Sequence, residues 1–178
     1  LTLLIVTSLC TVLDAQDLSQ FEHHPDIEIT LFAAEPDVVD PVSLDFAADG
    51  SCYVVEMRDY PYGFGAERRP GGTVRLLRDT DADGRADQSV VFASDLSFPT
   101  SITAWGKGVL VVAPPQVVYL EDTDGDDVAD VRRVMIDGLN RGVTDSNANS
   151  VGFGFDNRMH LANGGNSGDV SIPGSKSD

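Results

Sequence analysis

Two stretches of the chain gather side chains whose spacing suits one kind of chemistry. Asp79-Thr80-Asp81-Ala82-Asp83-Gly84-Arg85-Ala86-Asp87 places carboxylates at loop positions 1, 3, 5 and 9, with glycine at position 6. Such a loop folds alternate side-chain oxygens around one hard cation, and the glycine allows the sharp turn, as in calcium loops. Asp122, Asp124, Asp126 and Asp130 repeat the spacing, with Asp127 in the glycine seat. Aspartate accepts a positive φ better than most residues but less readily than glycine, and it adds charge. Position 12 of the first loop is Val90 and not the glutamate of an EF-hand. The flanking segments read as strands, so weak, structural calcium binding is expected at both loops. A solvated acidic turn is the alternative reading.

A second pair of segments suits a polar ligand. Glu56-Met57-Arg58-Asp59-Tyr60 and Asn163-Gly164-Gly165-Asn166-Ser167 offer a cation, carboxylates and amides. Arg58, Asp59 and Asn163 are the candidate ligand-binding residues; a rim salt bridge between Arg58 and Asp59 is the alternative. His160 sits within an apolar alternation and is expected to point into a sheet as a structural residue, while His23 and His24 belong to a polar lead-in. No glycine-rich phosphate loop, serine-nucleophile motif or Cys/His metal cluster is present, and no Cys-x-x-Cys-His stretch attaches a c-type haem within the 178 residues. The residues identify no catalytic base.

The elements that must carry these loops are short strands. Val74 to Asp81 recurs as Val117 to Asp124, and Asp79 and Asp122 lie 43 residues apart. That period is close to the roughly 40 to 50 residues of a four-stranded propeller blade. Three hairpins recur in parallel with it: Pro41–Phe46 with Cys52–Val55, Pro99–Ala104 with Val109–Val112, and Ser150–Phe155 with Arg158–Leu161. Glu56, Ala113 and Asn163 then take equivalent positions, so the loops after them share one face of a wheel. Residues Tyr60 to Gly71 are an insertion in one of those loops, either a rim or substrate loop or a plain surface loop. Ile27, Ile29 and Leu31 alternate as a first strand, and Cys52 reads as a small core residue. The expected fold is all-β: about three four-stranded antiparallel blades of a six-bladed propeller, with exposed edges. A β-sandwich is the architectural alternative.

Composition agrees with a globular, turn-rich chain: 42% hydrophobic and 23% charged residues, seventeen glycines, nine prolines and 7% aromatics. With 29 acidic against 12 basic residues the net charge is -17, which repels phosphate backbones and excludes nucleic acid as an expected partner. Leu1 to Leu13 is almost wholly apolar, the length of a signal-peptide core and too short to span a bilayer. Residues 1–15 are therefore read as the remnant of a signal peptide and residues 16–178 as the partial propeller, ending without a closing apolar strand. Export to a periplasmic or extracellular location, with no transmembrane span, is expected.

Phe32-Ala33-Ala34-Glu35-Pro36 with Val39-Asp40-Pro41, then Val54 to Pro61, Gly71 to Asp87 and Leu120 to Asp130, resemble the N-terminal propeller of large secreted dehydrogenase-like proteins of planctomycetes and verrucomicrobia, often called membrane-bound dehydrogenase domain or haem-binding proteins. The resemblance runs from about Ile27 to Asn166. It implies a six-bladed propeller similar to those of soluble glucose and sorbosone dehydrogenases, with pyrroloquinoline quinone as cofactor and a sugar or alcohol as substrate. It also implies downstream helical repeats and a cytochrome c segment that takes the electrons. Asp127 departs from the usual glycine, and Asn147-Ala148-Asn149-Ser150 lacks a histidine to act as base. A noncatalytic, calcium-stabilised propeller that binds glycans or proteins is the other functional reading.

Overall fold

A computed structural model of the chain describes residues 18–63, 65–142 and 144–175. Residues 1–15, read from the sequence as a signal-peptide remnant, lie outside them. The fold is all-β and antiparallel, in three sheets, none of them closed into a barrel. The first sheet is a meander of β1 (Pro41–Phe46), β2 (Cys52–Glu56), β3 (Gly72–Arg78) and β4 (Gln88–Leu96). The second repeats that meander with β5 (Ser101–Trp105), β6 (Gly108–Ala113), β7 (Gln116–Glu121) and β8 (Val131–Leu139). The third is the two-stranded pair β9 (Asn149–Phe153) and β10 (Met159–Ala162).

The first strands of the three sheets neighbour one another, β1 beside β5 and β5 beside β9, so the sheets follow each other as blades of an arc. Each first hairpin closes through a residue in the left-handed region: Gly50 at φ 88°, Gly106 at 65° and Asn157 at 59°. Glycine and asparagine take that conformation at least cost, which is why the turns fall where they do. Val109 to Val112 read as an unbroken apolar run because β6 is covered on both faces. On one side Val55, Val74, Leu76, Phe92 and Leu96 of the first sheet meet Ile102, Val109, Val111, Val118 and Leu120 of the second. On the other, Leu110, Val112, Val117 and Tyr119 meet Val151, Met159 and Leu161. Cys52 is a core residue as expected, packed with Val38, Val54 and Leu77.

Three expectations are corrected. Ile27 to Leu31 form no strand: the alternation is there, but no described strand lies beside them to complete a ladder, and Ile27 and Ile29 stay exposed. The lead-in instead lies along the back of the first sheet, where Phe32 and Ala33 pack on the Cys52 cluster. The third sheet stops at two described strands, and β11 (Gly168–Ser171) adds to the outer edge of β8, making the second sheet five-stranded. That pairing depends on close backbone approach, since a Cβ at Gly138 would overlap the Asp169 carbonyl oxygen. His160 does not point into a sheet. The two-residue period sends Met159 and Leu161 to the core and leaves the imidazole outside, where Nε2 meets Asp156 Oδ1 at 2.8 Å.

Candidate functional site

The up-and-down strands divide the loops between two ends of the arc. The first-hairpin turns and both acidic loops share one end, and the β2–β3 insertion, the β4–β5 and β8–β9 connections and residues 163–167 share the other.

At the acidic end the two loops share their main internal bonds at equivalent positions. They differ in that the position-5 N–H of Asp83 donates to Asp79 and Asp81 in the first, whereas the Asp124 and Gly125 N–H groups donate to Asp122 in the second. Asp79 Oδ2 accepts the Gly84 N–H at 2.8 Å, and Asp122 Oδ2 accepts the Asp127 N–H at 2.9 Å. Asp87 accepts the Thr80 N–H at 2.8 Å and its hydroxyl, and Asp130 does the same with Thr123 at 3.0 Å. Each loop carries two left-handed residues, Ala82 at φ 60° and Gly84 at 89° in the first, Gly125 at 83° and Asp127 at 68° in the second. The glycine has changed places between them.

These turns bring carboxylate oxygens of Asp79, Asp81 and Asp87 within 4.8 Å of one another, and those of Asp122, Asp124 and Asp130 likewise. Oxygens sharing one calcium at about 2.4 Å each lie at most about 4.8 Å apart, so both clusters fit such an ion. The remaining predicted ligands, Asp83 and Asp126, turn back to accept the N–H of Arg85 at 2.8 Å and of Val128 at 2.9 Å. The field in the second loop is strained in the way a cation would relieve. Asp126 foremost, with Asp130 and Asp122, pushes the Asp124 carboxyl above its ordinary value, while the Gly125 N–H and its neighbours hold Asp122 below. Thr80 holds Asp87 below in the same way.

Asp127 does not join the cluster. Its Oδ2 accepts from Arg78 Nη1 at 2.7 Å, tying the second acidic loop to β3 of the first sheet, and the ion pair raises the Arg78 pKa. The backbone N–H groups of Ala86 and Ala129, at loop position 8, bond the carbonyls of Phe32 at 2.8 Å and Phe92 at 2.8 Å. Phe32 thus serves the first loop as the β4 residue Phe92 serves the second, and the lead-in stands where an outer strand of a preceding blade would stand.

At the insertion end the three candidate ligand residues are placed differently from one another. Arg58 is exposed. Asp59 is fully buried, and its Oδ2 accepts the N–H of Phe98 at 2.8 Å and of Gly71 at 3.4 Å, pinning the far end of the insertion to the β4–β5 connection. Asn163, itself exposed, donates from Nδ2 to the Asn166 carbonyl at 2.8 Å, and beneath it the buried Asn166 donates from its side chain to the buried Asn147 Oδ1 at 3.1 Å. Asp59 therefore shapes the loops from the interior, while Arg58 and Asn163 are both exposed, Asn163 with its amide turned onto its own loop.

Sequence reading missed the network at Glu56. This carboxylate is fully buried; it accepts the Val39 N–H at 2.8 Å, the Thr73 hydroxyl, and Arg75 Nε at 3.2 Å. A glutamate, a threonine and an arginine on the paired registers Glu56↔Thr73 and Val54↔Arg75 were visible in the sequence only once those strands had been paired.

The architecture defines the class: an antiparallel, all-β arc of propeller-type sheets, with two carboxylate loops at one end. The model of a protein family described as a domain of unknown function, DUF7133, matches residues 14–178, and the chain belongs to that family. No curated protein and no solved structure matches the chain.

Proposed function

We propose that the chain is a calcium-stabilised propeller arc of an exported dehydrogenase-like protein. In this reading the acidic end holds the structure and the insertion end faces the ligand. The observation that carries it is the duplicated loop geometry, with three converging carboxylates in each copy and no nucleophile or base among them. The resemblance supplies the chemistry of the whole protein: oxidation of a sugar or alcohol, with electrons passed to a c-type haem domain outside these residues. Pyrroloquinoline quinone is the cofactor that the resemblance implies, but Asp59 is a fully buried carboxylate, Oδ2 held by the Phe98 and Gly71 N–H groups and Oδ1 enclosed without a partner, and Asn163 spends its donor on Asn166, so the described residues do not form a cradle for an anionic quinone. No step is derived through it.

Calcium melts test the first half. At 10 mM calcium and a dissociation constant of roughly 0.1 to 1 mM, each occupied loop stabilises the native state by about 1.4 to 2.7 kcal/mol. Melts with calcium and with chelator should differ accordingly; Asp81→Ala and Asp124→Ala should each remove one loop's share and together close the gap. Identical melts in wild type would sink the calcium reading.

The second half rests on Arg58, whose fork suits a carboxylate or a pair of sugar oxygens. Arg158→Ala, at the opposite end, is the comparison; Arg132 is unsuitable because it donates to the Ser94 and Asp95 carbonyls and ties the two large sheets. Arg58→Ala should weaken sugar binding by about tenfold and Arg158→Ala should leave it unchanged. Equal effects would leave the noncatalytic, glycan- or protein-binding reading ahead.

A further inference from the structure

At the acidic end, between the first-hairpin turns of the two large sheets, lies a cavity of about 580 Å³, within the roughly 300 to 1,000 Å³ of small-ligand sites. Asp45, Phe46, Asp49 and Tyr53 border it from the first sheet, and Trp105 and Lys107 from the second. Each turn joins two paired strands, β1 to β2 and β5 to β6, so both walls are fixed. Asp45 fastens one wall to the other: its Oδ2 accepts the Thr103 hydroxyl at 3.0 Å and the Ala104 N–H at 2.9 Å.

The walls offer an aromatic face and three polar groups. Trp105 is 37% exposed, and its indole stands edge-on to Tyr119 with ring centroids 5.5 Å apart. Tyr119 is itself held, its hydroxyl donating to Glu121 Oε2 at 2.8 Å and Arg133 lying over its ring at 5.2 Å. An aromatic face fixed in advance loses little freedom when a ligand covers it. The polar groups are unspent. Lys107 is exposed and pairs with no carboxylate among the described residues, in a chain whose net charge is -17. Tyr53 stands edge-on to Phe92 at 5.0 Å, and its hydroxyl has no partner among the described residues. Asp49 is exposed and is oriented by the Ser51 N–H, which its Oδ1 accepts at 3.0 Å.

Such walls suit a ligand with an apolar face and a rim of hydroxyls. A pyranose ring lays its C–H face on an indole, while its hydroxyls donate to a carboxylate and accept from an ammonium or a phenol. Charge then selects among sugars. Asp45 and Asp49, with the acidic loops at the same end, outweigh Lys107 and repel a uronate or a sulfated sugar, while Lys107 within the cavity opposes a cation. We propose that this cavity binds a neutral saccharide, with Trp105 as its platform, Asp49 as acceptor and Lys107 and Tyr53 as donors. It is a second ligand site, at the end opposite Arg58, and it rests on neither the dehydrogenase nor the calcium reading.

Trp105 is the only tryptophan of the chain, so its emission reads this cavity, and binding at the insertion end leaves it unchanged. The chain is titrated with cello-, laminari-, malto-, manno- and xylohexaose, each to about 20 mM. At least one should give a saturable change in emission, with a dissociation constant on the order of 1 mM. Lys107→Ala and Asp49→Ala should each weaken that binding about tenfold, the loss of a hydrogen bond to a charged group, and Tyr53→Phe about fivefold. Gly50 and Gly106 keep both turns in every variant, and circular dichroism checks that the sheets persist. Trigalacturonate should bind more weakly than the best neutral sugar. No change with any hexaose, a tighter response to trigalacturonate or to hexalysine, or an affinity indifferent to all three substitutions would each overturn the proposal.

Discussion

Asp127 occupies a seat where its twin loop has glycine, and two opposing effects set its worth. The backbone there is at φ 68°, against 89° at Gly84. A left-handed residue with a Cβ costs about 1 kcal/mol relative to glycine, somewhat less for aspartate. Against this stands the Arg78 ion pair at 2.7 Å, with both side chains 31% exposed, which places it above a fully solvated pair and contributes about 1 kcal/mol. Asp127→Gly gains the first and loses the second, so its stability should lie within about 0.5 kcal/mol of wild type. Asp127→Ala keeps a strained backbone and loses the pair, and should cost about 1 to 1.5 kcal/mol, or about 2 to 5 °C in Tm for a domain of this size. Urea unfolding in chelator is the assay, because calcium held in the same loop would add its own stabilisation. A double-mutant cycle with Arg78→Ala isolates the pair and should return a coupling of about 1 kcal/mol. Arg78 also donates to Ser51 Oγ at 3.2 Å, which the cycle cancels. If Asp127→Gly destabilises as much as Asp127→Ala, the backbone half of the reasoning is wrong; a coupling near zero removes the electrostatic half.

Two further outcomes follow from single groups. Burial pushes the Cys52 thiol up to about 11, so alkylation at pH 8 should be negligible in the folded chain and rapid in urea; comparable rates in both would show that β2 opens readily. The Asp156 carboxyl is held below the ordinary aspartate value by its bond to His160, so the pair's stabilisation is present above that ordinary value and is lost as pH falls through the lower, folded one. Carboxyl NMR should find Asp156 titrating low in wild type and returning to the ordinary value in His160→Ala.

The repeat was legible because it is written in residues whose local roles are independent of their neighbours. Asp-Gly and Asp-Asn turns, an apolar run at Val109 to Val112 and carboxylates at fixed spacing announce themselves one segment at a time. The errors share a physical cause. Ile27 to Leu31 have a strand's alternation, yet a strand exists only beside a partner; Ile27 and Ile29 stay exposed, and the lead-in packs on the sheet back through the residues that follow, Phe32 and Ala33. His160 has apolar neighbours at both sides in sequence, but in a strand those neighbours face the other way. Asp59 and Asn163 are ligand candidates on their loop positions alone; what the sequence does not show is their partners, Phe98 and Gly71 for one and Asn166 for the other, which depend on how three separate connections meet.

The same distinction explains why the departures at Asp127 and Glu56 are intelligible only in three dimensions. Each acidic loop carries two left-handed residues but one glycine, the other being Ala82 in the first and Asp127 in the second. In the second loop that residue is an aspartate whose carboxylate reaches Arg78 on the neighbouring sheet. A glycine at position 127 would relax one loop, whereas the aspartate relates two sheets. Glu56 does the same at the opposite end, where its buried carboxylate holds the lead-in through the Val39 N–H while bonding Thr73 and Arg75 of β3. A buried carboxylate is costly unless its oxygens are filled, and here both are, by three groups from two segments, the lead-in and β3. The polar residues that look most like chemistry in the sequence thus divide by what they touch: Glu56, Asp59 and Asp127 join elements, while Asp79, Asp81 and Asp87, with their counterparts in the second loop, converge on a point that belongs to no element. That convergence, and not acidity alone, is what makes the two loops the places to look for a bound ion.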